Sequence, residues 1–280
     1  MTIDLSSVGT QVAPQERRYD WRDTALYALA LGAGSDDLPY VLDDPPPRVL
    51  PTYGVIPAFE PVFAAMRKTG GDLVQLLHTG QRTELLRPLP PAGTMRTRAT
   101  LRGLWDMKIG ALAIVDTETD VDGEPAVRTS WQLLLRGEGG FGGERPPQGL
   151  RTKPPKDQSP DFELRVPTSR DQALLYRLTG DVNPIHARPD VAKLAGFERP
   201  ILHGLCTYGI AARAALKLMA GDDPARFIAF DARFAKVVMP GDVLLVRGYR
   251  LEQPGQAAVT VTVEGSGEQA IGNALFEYRS

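Results

Sequence analysis

Tyr176-Arg177-Leu178-Thr179-Gly180-Asp181-Val182-Asn183-Pro184-Ile185-His186 sets an acid, an amide and an imidazole within six positions. A helical pattern precedes it. Thr168 reads as the N-cap, with Asp171 three residues on. Leu174, Leu175 and Leu178 follow at helical spacing, and Gly180 is the expected stop. Asp181, Asn183 and His186 then fall on an irregular turn fixed by Pro184. Asp and Asn after a helix are ordinarily turn formers. Short polar side chains on a rigid turn can also converge on one small molecule such as a water, which is what general acid–base chemistry needs.

Downstream, Pro200-Ile-Leu-His203-Gly204-Leu-Cys206-Thr207-Tyr208-Gly209 runs into a segment of small and apolar residues ending at Met219. This pattern reads as a largely buried helix. Gly204 falls at its expected N-terminus, where backbone N–H groups lack intrahelical partners. Such a group can hold a carbonyl oxygen that gains negative charge. Gly204 could equally serve only to ease the chain into the helix.

The chain carries a faint duplication. Arg22-Asp23-Thr-Ala25-Leu26 recurs as Arg170-Asp171-Gln-Ala173-Leu174, 148 positions later. Asp20 falls opposite Thr168, and Gly32 opposite Gly180. Thr52-Tyr53-Gly54 returns as Thr207-Tyr208-Gly209, and Pro91 and Gly93 echo Pro240 and Gly241. In the first register, Asp181 lies opposite Ala33 and His186 opposite Leu38. One copy therefore lacks both chemical groups. Were they merely structural, the first copy would need them too, so one active half and one supporting half are expected.

Strand patterns follow each presumptive helix. In the second half they span 226–237, 242–251, 257–264 and 269–278. Val259, Val261 and Val263 alternate with polar neighbours at period two. In the first half they span 94–104, 109–119 and 126–136. Pro57 and Pro61 interrupt the first small-residue helix, and a break there would leave room for a bulky group. The stretch 137–160 is rich in Gly and Pro and reads as a linker.

Composition excludes several classes. The 280 residues hold 32 basic and 34 acidic side chains, so no basic excess suggests nucleic acid as a partner. A single cysteine, Cys206, excludes an internal disulfide framework, and its place on the apolar helix favours packing over nucleophilic work. His78, His186 and His203 show no metal-ligand spacing, so no metal site is expected. No apolar run reaches membrane-spanning length, and the first residues carry no apolar signal core. The natural class is a cytoplasmic enzyme or binding protein without membrane contact.

The run from Tyr176 to Ala195 resembles the signature of the MaoC-like (R)-specific enoyl-CoA hydratases, or hydratase 2. The blocks Arg199–Gly209 and Arg233–Gly241 are similar to the same family. So are the glycine run Gly139–Gly143, Leu50–Gly54 and Arg87–Gly93. The resemblance covers roughly residue 15 onward and takes the long, two-repeat form of peroxisomal multifunctional enzymes and bacterial counterparts. It implies an α+β double hotdog, two repeats each with a central helix wrapped by an antiparallel sheet. The expected divisions are a supporting repeat over 1–136, the linker over 137–160 and a catalytic repeat over 161–280. The activity implied is hydration of trans-2-enoyl-CoA to (3R)-3-hydroxyacyl-CoA by a homodimer without metal or redox cofactor, CoA being part of the substrate. The wider readings are a thioesterase or a non-catalytic acyl-CoA-binding subunit.

For that reaction Asp181 and His186 would bind the water, Asn183 would orient it or fix Asp181, and the Gly204 N–H would hold the thioester oxygen. Which of Asp181 and His186 takes the proton stays open. Val182, Pro184 and Ile185 would lie beside the substrate. The family's His-Gly pair falls on His78 and Thr79, and a family lysine falls on Met107 with Lys108 next to it. Both are departures. A substrate-site aromatic falls on Phe234, and His203 is expected to orient the turn before Gly204.

Overall fold

The computed structural model describes residues 3–147 and 152–279. The first half runs β1 (Gln15–Tyr19), α1 (Trp21–Ala30), a 3-10 segment Pro51–Ala58, α2 (Phe59–Arg67), β2 (Leu76–Leu85), β3 (Gly93–Asp106), β4 (Gly110–Val121) and β5 (Glu124–Arg136). The second runs β6 (Phe162–Pro167), α3 (Gln172–Tyr176), α4 (Pro189–Leu194), α5 (Gly204–Met219), β7 (Phe227–Phe234), β8 (Val243–Arg250), β9 (Gln256–Val263) and β10 (Gln269–Tyr278). Part of the expected linker, 148–151, lies outside the described residues.

All ten strands form one antiparallel sheet in the order β1-β3-β4-β5-β2-β7-β10-β9-β8-β6. From the central β2–β7 seam outward, the two halves repeat the same order of elements. The seam pairs Gly80 with Arg233 and Glu84 with Ala229, so the halves join edge to edge. Each half wraps its strands around a central helix. In the second half α5 packs on β7, β8, β9 and β10. Small residues in it let neighbouring elements, α1 among them, come close. A Cβ on Gly209 would sit 2.6 Å from Leu31 Cδ1. A Cβ on Gly54, the equivalent in the first copy, would sit 2.7 Å from Val127 Cγ1. Close approach accounts for the glycine of Thr-Tyr-Gly in both halves.

The central helix of the first half is broken, as the two prolines suggest. Pro51–Ala58 winds as 3-10 with Pro57 inside, and α2 begins only at Phe59. Asp20 caps α1 through the Arg22 N–H, and Asp23 closes a capping box.

Thr168 does not cap the equivalent helix. Its hydroxyl donates to the Asp242 carbonyl at 2.7 Å and accepts from the Gly241 N–H, fastening β6 to the turn before β8. The helix starts later, at Gln172, and tightens to 3-10 over Arg177–Thr179. Leu174 and Leu178 are exposed rather than packed inward. Gly180 ends it at φ 147°, a conformation that favours glycine.

The half without the chemical groups braces the other. The Ala30 carbonyl at the end of α1 accepts from Gln172 Nε2 at 2.6 Å and from the Cys206 thiol at 3.4 Å. Arg17 of β1 donates to the Thr179 carbonyl at 3.1 Å. Asp37 lies in the loop that replaces the chemical turn and pairs with Arg213 and Lys217 of α5. Burial alone would raise the Asp37 carboxyl, but the two cations outweigh it and hold the group below its usual range. Among the described residues no helix is long and apolar enough to cross a membrane.

Candidate active site

A cleft of about 360 Å³ opens between the halves. Asp181, Asn183, Ile185, His186, Gly204 and Phe234 line it from the second half. His78 and an apolar wall that includes Phe59, Phe63, Leu76, Trp131 and Leu133 line it from the first. The break at Pro57 brings Phe59 to this wall.

The turn is built from its own polar groups. The Asn183 N–H donates to Asp181 Oδ1 at 3.2 Å, and Asn183 Oδ1 accepts from the Ile185 N–H at 3.1 Å. Pro184–His186 then forms one 3-10 turn capped by Asn183. Asn183 thus fixes Asp181 through its backbone while its side-chain oxygen secures the turn. His186 is buried, and its Nδ1 lies 2.9 Å from the Ile201 carbonyl. A carbonyl only accepts, so Nδ1 carries the hydrogen and Nε2 keeps its lone pair.

Electrostatics bring the two groups together. Burial raises the Asp181 carboxyl against the lowering effects of His186 and the Asn183 N–H. Burial lowers the His186 imidazole against the raising effects of Asp181 and the Ile201 carbonyl. The two shifts run toward each other, which narrows the ordinary gap in proton affinity between a carboxyl and an imidazole.

His203 is also buried. Its Nε2 donates to the Asp181 carbonyl at 3.1 Å, and its ring stacks on His186 at 3.7 Å between centroids. It therefore touches the catalytic-type turn itself, which is more than orienting the approach to Gly204. Donor atoms of Asp181, His186 and His203 all lie within 4.8 Å of one another. Linear spacing scattered these groups, and the fold gathers them. Their hydrogen-bonded nitrogens differ, Nδ1 on His186 and Nε2 on His203. The two rings stack with their planes 27° apart.

Gly204 begins α5, whose first N–H groups have no intrahelical acceptor. A Cβ there would meet the Phe234 ring at 3.6 Å. His78 stacks on Trp131 at 4.9 Å and meets Phe234 edge-on at 5.0 Å. Burial lowers its imidazole to about 4.

Four expected contacts lie away from the cleft lining. Thr79 turns from it, its hydroxyl donating to the Gln132 carbonyl, because neighbouring strand residues face opposite sides. Val182 and Pro184 are exposed to solvent. Lys108 sits in a tight turn at φ 65°, its N–H on Asp106 Oδ1. Trp131, Phe63 and Leu76 are wall residues that sequence reasoning missed. Only the proline break near Phe59 signalled that wall.

A ten-stranded sheet with two wrapped helices, and an acid–imidazole turn facing a helix N-terminus, define a double-hotdog protein with a candidate acid–base site. Residues 18–137 match the family model described as the MFE-2 hydratase 2 N-terminal domain, and residues 151–269 match the MaoC like domain. The chain is 38% identical over 282 residues to the enoyl-CoA hydratase ChsH3 of Mycobacterium tuberculosis, covering 97% of this chain and 96% of that protein. The crystal structure of a MaoC-like dehydratase from Phytophthora capsici superposes with a TM-score of 0.89 at 30% identity, covering 99% of each chain. A double-hotdog protein of M. tuberculosis, Rv0216, aligns at TM-score 0.59 and 15% identity over 97% of this chain and 96% of that one, a likeness of fold alone. The protein belongs to the MaoC-like hydratase 2 family.

Proposed function

We propose that this protein hydrates trans-2-enoyl-CoA esters reversibly to (3R)-3-hydroxyacyl-CoA, as a hydro-lyase of acyl-CoA β-oxidation. The observation that carries the reading is the Asp181–His186 pair, its donor atoms within 4.8 Å, in a cleft that also exposes the start of α5. A water held by both groups loses a proton to the Nε2 lone pair of His186 as its oxygen bonds to C3. The pair returns a proton to C2. The Gly204 N–H receives the thioester oxygen as enolate character develops. One O–H bond of water and the C2–C3 π bond of the enoyl group break, and one C–O and one C–H bond form.

The first half supplies the acyl wall and holds the second half in place. His78 and Phe234 flank the thioester, and Arg136 and Lys236, also in the cleft lining, offer positive charge to the CoA phosphates. The residues given these roles require neither a metal nor a redox cofactor. Action as a homodimer in the cytoplasm is part of the same proposal and rests on the family resemblance. Sedimentation and cell fractionation test it.

Mixing the protein with a panel of enoyl-CoA esters decides the activity. Loss of enoyl-thioester absorbance without thiol release supports hydration. Thiol release would make it a thioesterase, and neither signal would leave an acyl-CoA-binding protein.

A further inference from the structure

We infer that His203 is the positioning residue of the catalytic pair, holding Asp181 through its backbone and His186 through its ring. The inference rests on the catalytic assignment of Asp181 and His186 above.

Three contacts carry it. The Nε2–H of His203 donates to the Asp181 carbonyl at 3.1 Å, across 22 positions of sequence. One face lies on His186, with centroids 3.7 Å apart and planes 27° apart. Tyr176, at the end of α3, packs on the ring at 4.8 Å. His203 is also the residue immediately before Gly204 and the N-cap of α5, whose Cys206 and Thr207 N–H groups bond its carbonyl. One residue thus ties the water-binding turn to the proposed oxyanion site. A shift of His203 moves both relative to the substrate, and a misplacement of about 1 Å can cost about 100-fold in rate.

The same ring controls the state of His186. Nδ1 of His203 is buried without a protein partner, so a second hydrogen there would be an unpaired buried cation. Burial chiefly, with His186 and Arg177 adding, lowers His203 to about 2 against the raising effect of the Asp181 carbonyl. The groups facing it are Tyr176, Arg177, Asp181 and His186. His203 is therefore neutral wherever the enzyme works. A neutral ring covering His186 contributes to the burial that lowers the His186 imidazole and keeps it ready to accept a proton.

Two substitutions separate the contacts. His203→Phe keeps a ring on His186 but loses the donor to Asp181. Its kcat should fall by about 10- to 100-fold with KM for the enoyl-CoA ester nearly unchanged. His203→Gln keeps a donor but uncovers His186. It should recover much of kcat, while the acid limb of kcat/KM moves up toward the ordinary imidazole value. A purely structural role would lower the active fraction without moving that limb.

If a variant fails to fold, ¹⁵N-histidine spectra of the wild-type protein decide. His203 should hold its hydrogen on Nε2 and not titrate between about pH 5 and 8. Wild-type kcat and an unmoved limb in both variants, or a titrating or Nδ1-protonated His203, overturns the inference. His186→Ala serves as the reference. If it stays active, the catalytic assignment fails. If it is inactive while both His203 variants behave as wild type, only the role of His203 fails.

Discussion

The Ile201 carbonyl lies 2.9 Å from Nδ1 of His186, and this contact fixes which nitrogen can act as a base. With Nδ1 protonated, the Nε2 lone pair is open to the cleft. Asp181→Ala and His186→Ala should each lower hydration by about 10²–10⁴-fold. Binding of a saturated acyl-CoA, read by calorimetry, should change little. Either variant retaining more than about a hundredth of the wild-type rate would remove that residue from the chemistry.

Gly204 is expected to act through its backbone. Gly204→Ala should be tolerated, because the added carbon meets Phe234 at an ordinary 3.6 Å. Gly204→Val branches against that ring and should displace the helix start, lowering kcat by about tenfold or more. Equal rates in the two variants would move the oxyanion site elsewhere.

Acid should destabilise the fold through its histidines. Burial lowers His203 to about 2 and His78 to about 4, and it lowers His186 as well, all from an ordinary 6.5. Below that value the unfolded chain binds protons the folded chain refuses, costing about 1.4 kcal/mol per pH unit per histidine. Asp231, raised to about 6, and Asp181 act with the opposite sign, since their folded forms keep protons that the unfolded chain releases above 3.8. His203 and His78 together outweigh Asp231 across this window, so urea midpoints should fall between pH 7 and pH 5. A rising midpoint would show that the carboxyls dominate.

Exhaustive chelation should leave activity intact. Asp181, His186 and His203 are close enough to tempt an ion, but their rings stack. Activity lost to a chelator and restored by a divalent ion would require a metal in the mechanism.

The product should be the (3R)-hydroxyacyl-CoA. The turn and the start of α5 fix water and carbonyl on one rigid frame, so one face of the alkene is presented. Coupling to (R)- and (S)-specific 3-hydroxyacyl-CoA dehydrogenases separates the outcomes. Oxidation by the (S)-specific enzyme alone reverses the assignment, and oxidation by both means that the substrate binds in two poses.

Local chemistry made part of this molecule legible. The Asp20 cap, the Gly180 stop and the alternating valines of β9 depend on near neighbours, and so does the Asp181–His186 turn. What depended on distant partners was hidden. Leu76–Leu85 alternates poorly because a bulge between His78 and Gly80 interrupts its register. Short edge strands such as Gln15–Tyr19 and Phe162–Pro167 carry too few residues to show a period. Thr168 had the chemistry of a cap, but a turn more than seventy residues away claimed its hydroxyl. The contact of His203 with the Asp181 carbonyl could be seen only once the fold had closed.

The β2–β7 seam has an evolutionary consequence. In a symmetric dimer of single repeats, every substitution appears on both subunits, so neither wall of a shared crevice can change alone. Joining two copies in one polypeptide removes that constraint. Mutations at Phe59, Phe63 or Leu76 can reshape the acyl side without a matching change beside Asp181 and His186. New substrate ranges can then arise by drift in the silent copy while the reacting copy stays under selection.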